Sequence, residues 1–239
     1  MTGSQAGSAP GVGLIETFAV IGGRPRHLGA HLDRMAASAR EIGIPGFSRG
    51  AVEWAVAAVV ARRDGDAWDD ASSAVLRVEL RPDGGIDVTP RPAGPAGLGE
   101  LFLVDEDAWA GSGAEPVTLV IDDVPVAPSP LLRHKTTARA VYDDARARHP
   151  HADDVVLINA AGRVTETTVA NFAALVVTPD GPRWVTPPVA DGLLPGIGRA
   201  LLLESGGLVE RSLTPADARV AEALAVISST RGWRRARLG

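Results

Sequence analysis

Three prolines in nine residues, Pro125, Pro128 and Pro130 in the stretch PVAPSPLLR, cut this 239-residue chain into two halves. A proline has no amide hydrogen and a fixed φ, so such a stretch runs neither as a helix nor as a central strand. An interdomain connection is expected there. The expected organisation is an N-terminal domain over 1–124, a linker over 125–131 and a C-terminal domain over 132–239.

Each half mixes strands with helices. Leu14–Ile21 is apolar and β-branched and ends at Gly22–Gly23, the pattern of a strand running into a turn. Leu28, Leu32, Met35, Ala39 and Ile42 recur at spacings of three and four, one face of a helix, and Gly43 supplies its stop. A second helix is expected over Ala51–Arg62, then strands over Ala74–Leu80, Gly85–Val88, Leu101–Val104 and Val117–Val124. Past the prolines, Thr136–His149 reads as a helix ended by Pro150. Val155–Asn159 and Val164 to about Thr165 read as a strand pair around AAGR. Strands follow at Phe172–Val177 and Arg183–Thr186, and a short helix at Gly196–Ser205. Strands at Leu208–Leu213 and Ala225–Ser229 flank a helix at Pro215–Ala223. Strand and helix do not alternate strictly, so the fold class is α+β, with mixed sheets and flanking helices.

Composition removes several function classes. Apolar residues at 45% and charged residues at 22% describe an ordinary globular chain with a sizeable core. A net charge of −5 argues against a nucleic-acid partner, which needs a basic face. The arginines at the end, Arg231, Arg234, Arg235 and Arg237, read as a solvated tail. With no cysteine there is no disulfide, no thiolate nucleophile and no Cys-ligated metal; the five histidines form no H-E-x-x-H. The first ten residues, MTGSQAGSAP, lack the basic start and apolar run of a secretory signal. No stretch approaches the ~18–20 apolar residues that span a bilayer. A cytoplasmic chain with no membrane partner is expected.

The residues that could do chemistry come as a set. Lys135 lies in LRHKTT, and Glu166 follows 31 positions later in VTETTVANF. LLPGIGR at Leu193–Arg199 then opens a helix. Taken singly these are a surface lysine, a capping carboxylate and a helix start. Taken together they are an amine to hold an aldehyde, a carboxylate to hold a pyridinium and an amide-rich turn to hold a phosphate. Those are the parts a pyridoxal phosphate site requires. Arg34, in HLDRM, is either a salt-bridged helix residue or a phosphate clamp. The hydroxyls of SSTRGW, Ser228–Trp233, are a second phosphate wall or a polar loop, and Asn171 is a turn or network residue under either reading.

In this order the motifs resemble the class IV aminotransferases, the fold-type IV pyridoxal phosphate enzymes, from about Leu14 to Leu238. The resemblance implies the two-domain, D-amino acid aminotransferase-like α+β fold, with residues 132–239 as the cofactor-binding domain. It places Lys135 at the covalent lysine, Glu166 at the pyridine-nitrogen carboxylate, and Arg34 at the phosphate-contacting arginine. Ile197 and Gly198 match the backbone phosphate turn, and Ser229 and Thr230 the second phosphate segment. HKTTARAVYDDARARHPHADDVVLIN, VTETTVANF, TPPVADGLLPG and SSTRGW look most like the aminodeoxychorismate lyase branch, in the version found as the C-terminal part of fused para-aminobenzoate synthases. That branch implies a small-molecule substrate, with Arg139 and Arg231, and less directly Thr17, as partners of its carboxylates, and a homodimer. A transaminase of D-amino or branched-chain amino acids and a non-catalytic paralogue remain the alternatives.

Overall fold

The computed structural model describes residues 11–63, 66–68, 72–93, 98 and 115–239. Contacts divide the chain into two units: residues up to Leu98 with His134–Ala138, and Gly99–Arg133 with Arg139–Gly239.

The first unit is built on an antiparallel sheet in the order β2-β1-β3-β4, with β1 at Leu14–Ile21, β2 at Arg24–Pro25, β3 at Ala74–Leu80 and β4 at Ile86–Arg91. β1 and β3 pair without interruption from Leu14↔Leu80 to Val20↔Ala74. β3 alternates buried and half-buried residues, as a strand with one covered face must. The covering helix, α1 at Leu28–Ile42, buries Leu32, Met35, Ala39 and Ile42, and its capping residue Gly43 sits at φ 76°, a conformation glycine adopts without steric cost. A second helix, α2 at Arg49–Arg62, is capped by the Ser48 side chain, which accepts from the Ala51 amide. The expected strand at Leu101–Val104 lies outside the described residues.

The second unit carries strands β5 (Val117–Ile121), β6 (Asp154–Ile158), β7 (Val164–Thr167), β8 (Asn171–Thr178), β9 (Gly181–Thr186), β10 (Val209–Glu210), β11 (Ala223–Ser228) and β12 (Gly232–Leu238). They run in the order β10-β9-β8-β11-β12-β5-β6-β7, and β7 pairs again with β8. Six of the strands thereby close into a ring. One face of that ring, including Val117, Leu119, Val156, Val164, Phe172, Ala174, Leu224 and Val226, forms a single apolar cluster joined by Leu213 and Ala218. The packing is that of a small barrel filled by its own side chains. Two helices cover the other face. α3 at Ala140–Arg148 brings Ala145, Val141 and Tyr142 onto Val155 and Leu157 of β6, and α4 at Ile197–Glu204 brings Leu202 onto Ala173, Ala225 and Ile227. A short helix, α5 at Pro215–Val220, starts in a capping box between Thr214 and Asp217. Among the described residues no helix is long and apolar enough to cross a membrane.

Four expectations need correction. Val117–Ile121, expected in a first domain ending at 124, pairs in parallel with β12 and β6 in the second unit. The proline stretch is not a separator alone, since Pro130–Arg133 makes a 3-10 turn. The helix expected from Thr136 begins only at Ala140, because Thr136 and Thr137 pair with the start of β1. The arginine-rich end is no tail. It is β12, hydrogen-bonded to β11 on one side and β5 on the other. Trp233, paired with Ile227, packs with Ala173, Leu202 and Ala225, edge-on to Trp184 at 4.6 Å between ring centroids. Trp233→Ala is therefore expected to destabilise the protein by about 3–5 kcal/mol, read from urea unfolding. A change below about 0.5 kcal/mol, the level of an exposed tail residue, would contradict this placement.

Candidate functional site

The second unit gathers its polar chemistry where β7 meets β8. In the pairing of β6 with β7, Ile158 faces Val164 and Val156 faces Thr167, so β7 holds one extra residue between the two pairs. That bulge sets Val164 and Thr167 on the inner face of the ring and turns Glu166 to the outer face, under α3. Glu166 is 5% exposed. A carboxylate so buried requires hydrogen-bond donors, and one is the phenol of Tyr142 on α3, which donates to Oε1 at 3.0 Å. Burial first, then the neighbouring Glu166 charge and the hydrogen bond to it, push the Tyr142 phenol well above its ordinary value. Arg139, the residue before α3, lies 4.7 Å over the Tyr142 ring and donates to the Thr168 carbonyl at 2.7 Å.

Glu166 pairs with Asn171 of β8, and Asn171 pairs with Ile227 of β11. Three adjacent strands thus present a row about 10 Å wide. Asn171 donates from its side-chain amide to the Leu194 carbonyl at 2.9 Å, and its Oδ1 lies where a Cβ on Gly196 would stand, 1.9 Å away. Gly196 is the residue before α4. The first hydrogen bond of that helix runs from Ala200 N–H to Gly196 C=O at 2.9 Å, which leaves the amides of Ile197, Gly198 and Arg199 outside the helical ladder. One residue past Ile227 begins the Ser228–Arg231 turn, where the Ser228 and Thr230 hydroxyls are 3.2 Å apart and the Arg231 amide donates to Ser228 Oγ. Ser229 and Thr230 are half-buried and Arg231 exposed. Five of the expected residues, Glu166, Asn171, Gly198, Ser229 and Thr230, and Ile197 with them, therefore belong to one end of one sheet and the helix start braced against it.

In the first unit Lys135 is held by its backbone. Its carbonyl accepts from Ile15 N–H at 2.7 Å, Thr136 bridges Leu14, and Thr137 N–H donates to the Gly13 carbonyl at 2.9 Å. His134 Nδ1 lies 2.9 Å from Ser38 Oγ on α1. The lysine itself is half-buried. Arg34 donates from Nε and Nη2 to the two oxygens of Glu16, at 2.8 and 2.6 Å. Glu16 is 1% exposed on the core face of β1, and His31 Nδ1 reaches it as well. Burial alone would raise the Glu16 carboxyl, but the Arg34 charge and the hydrogen bonds from His31 and Arg34 outweigh it and hold it below the usual range. Thr17 lies on the opposite face of β1, paired with Arg77.

Tyr142 and Glu16 were not anticipated. The signal for Tyr142 is its phase: it sits three residues before the buried Ala145, on the covered side of α3, where a phenol O–H must find an acceptor. Glu16 gives a weaker signal, a carboxylate in the middle of an apolar strand. Asp122, Asp123 and His149 offer ligand atoms within 4.8 Å, but Asp122 already accepts from Arg148 and pairs with His149, so the group is an ion-pair network.

The family model for amino-transferase class IV matches residues 13–238. The chain is 32% identical over 189 residues, 77% of its length, to 70% of a Schizosaccharomyces pombe protein named "Putative aminodeoxychorismate lyase". A "Putative 4-amino-4-deoxychorismate lyase" from Legionella pneumophila superposes with a TM-score of 0.76 at 23% identity, covering 95% of this chain and 82% of that one. The pyridoxal phosphate-bound form of "a hypothetical aminotransferase" from Mycobacterium tuberculosis superposes with a TM-score of 0.74 at 23% identity, covering 95% and 81%. The two structures establish the shared fold.

Two outcomes are expected from this geometry. Gly196→Ala should destabilise by about 1–3 kcal/mol, because its new methyl overlaps Asn171 Oδ1. Combining it with Asn171→Ala should cost at least 0.5 kcal/mol less than the sum, by thermal and urea unfolding; strict additivity would contradict the contact. Tyr142 is the chain's only tyrosine, so tyrosinate absorbance reads it directly. It should ionise well above the ordinary value of about 10 in the folded protein and near 10 in urea. Since folding raises this group, its stabilising contribution is complete below about pH 10 and is lost as pH rises toward the folded value.

Proposed function

The chain belongs to the amino-transferase class IV family, and we propose that it is a pyridoxal 5'-phosphate enzyme with the activity of an aminodeoxychorismate lyase, converting 4-amino-4-deoxychorismate to 4-aminobenzoate and pyruvate. The observation that carries cofactor use is the single row in which a buried carboxylate at Glu166 adjoins Asn171 and the free-ended amides of Ile197 and Gly198. A ring nitrogen that must stay protonated and a phosphate dianion are the two ends of one molecule that such a row fits. The choice of reaction rests on the similarity to the Schizosaccharomyces pombe protein.

Pyridoxal phosphate, when bound, supplies a sink for the charge left on a carbon that loses its proton. The protein's part is to bind, orient and move protons. The α4 amides would meet the phosphate with the positive end of the helix dipole, and the Ser229 and Thr230 hydroxyls would add donors. Glu166, as the anion, would keep the proton on the pyridine nitrogen. Lys135 Nζ would hold the group through its aldehyde carbon. Once freed, Lys135 Nζ would take the proton from the substrate ring carbon that bears the amine. The bond from the ring to the enolpyruvyl oxygen breaks, the ring becomes aromatic, and the departing enolate gains a proton as pyruvate. No second substrate is needed.

Lactate dehydrogenase coupling should show pyruvate released in equal amount with 4-aminobenzoate, with no keto acid present, and Lys135→Ala should abolish it. Turnover only when an amino acid and a keto acid are both supplied would establish a transaminase instead. Borohydride reduction followed by peptide mapping should leave the cofactor on Lys135. A protein that takes up no cofactor would refute catalysis of either kind.

A further inference from the structure

We propose that Tyr142 is the positioning residue for Glu166, its phenol fixing the rotation of the carboxylate and holding it in the anionic form that keeps a bound pyridine nitrogen protonated. The inference rests on the proposed cofactor use and goes beyond it, to a residue that does not itself meet the ring.

The argument begins with the bulge. The extra residue in β7 puts Glu166 on the outer face, and the row Glu166–Asn171–Ile227 fixes its backbone on the strand. A backbone so held still leaves the terminal torsion of a Glu side chain broad, since it is an sp³–sp² rotor without sharp wells. Only a contact at the carboxylate itself can set the plane of the two oxygens. The Tyr142 phenol makes that contact at Oε1, 3.0 Å away, from a helix whose own position is fixed by Val155, Leu157 and Ala145. The phenol is in turn covered by Arg139, whose guanidinium lies 4.7 Å over the ring and is tied to the Thr168 carbonyl two residues past Glu166. The same turn is therefore gripped from both sides by one helix start.

The charge argument points the same way. A phenol that ionises far above neutral pH keeps its proton at every working pH, and here that proton is donated to Glu166 Oε1. Donation to a carboxylate favours its anion. A carboxylate and a pyridine nitrogen sharing one proton divide it by their relative basicity, so a donor on the carboxylate moves the proton toward the nitrogen. Loss of the phenol oxygen leaves a 5%-exposed carboxylate with one donor fewer, which favours its protonated form and leaves the ring nitrogen neutral.

The test uses the holoenzyme loaded with pyridoxal phosphate carrying nitrogen-15 in the ring. Wild type must first take up the cofactor; if it does not, the proposed function fails and Tyr142 has no such role. In a loaded protein, Tyr142→Phe is expected to move the ring-nitrogen resonance from its protonated toward its neutral position, to lower kcat by about 10- to 100-fold and to leave KM and cofactor affinity within about threefold. A merely structural role would lower cofactor affinity and stability while the resonance stays put, and that result overturns the inference. A resonance that stays put with kcat within twofold overturns it too. If Tyr142→Phe does not fold, growth on 3-fluorotyrosine labels this one position, because the chain has a single tyrosine. Its fluorine resonance should then shift on Glu166→Gln, and an unmoved resonance overturns the proposal.

Discussion

The pair Glu166–Asn171 is the contact on which the second unit turns. It closes six strands into a ring by joining β7 to β8, and it is made possible by one surplus residue in β7. Without that surplus Glu166 would stay in phase with Val164 and would enter the apolar interior of the ring. A carboxylate there would lack donors, and the cost of several kcal/mol would fall on the fold itself. With the surplus, the carboxylate reaches the layer between strand and helix, where Tyr142 can donate. A backbone irregularity therefore makes a functional side chain compatible with a closed core.

The neighbouring elements inherit their positions from that pair. Asn171 cannot brace the start of α4 unless its strand is registered against β7, and it lies against that helix start only because Gly196 has no Cβ to displace the Asn171 oxygen. On the other side, β11 ends level with Asn171, so the Ser228–Arg231 turn arrives at the same edge of the sheet. Register in a sheet is cooperative: a slip of one residue would reverse every side chain at once. The site residues are accordingly not independent features. They are four consequences of one alignment.

Much of this was legible in the sequence. β1 and β3 were expected at the residues they occupy, and α1 was readable from a single apolar stripe with a terminal glycine, since both patterns are local and periodic. What failed to be legible was non-local. β12 looks like a charged tail because three of its seven residues are arginines, and only its pairing with β11 and β5 shows that it is an inner strand with Trp233 packed beside Ile227. β5 follows the first half in sequence, yet its partners lie 35 or more residues downstream. The segment Thr136–Ala138 satisfies helix composition, but Thr136 bridges Leu14, the Thr137 amide donates to the Gly13 carbonyl and the preceding Lys135 carbonyl accepts from Ile15. The bulge in β7 has no compositional mark at all. Tyr142 is marked only by its phase, and an aromatic on the covered side of a helix usually signals packing and nothing more.

Glu16 shows why a motif residue cannot be assigned to one role by resemblance alone. Arg34 is matched by sequence to a phosphate contact, yet its Nε and Nη2 also neutralise the carboxylate that β1 places on the core face. His31 completes the enclosure, with its Nε2 buried and without a hydrogen-bond partner among the described residues. Removing the guanidinium would leave a buried anion, at a cost of about 3–5 kcal/mol, before any ligand is considered. A fall in cofactor affinity in such a variant would then combine a lost phosphate contact with a loosened first unit. The pairing of Glu16 with His31 and Arg34 therefore has a role in the first unit that burial by itself requires. Only a phosphate-specific readout, such as affinity for the phosphorylated cofactor against its dephosphorylated form, separates the two contributions.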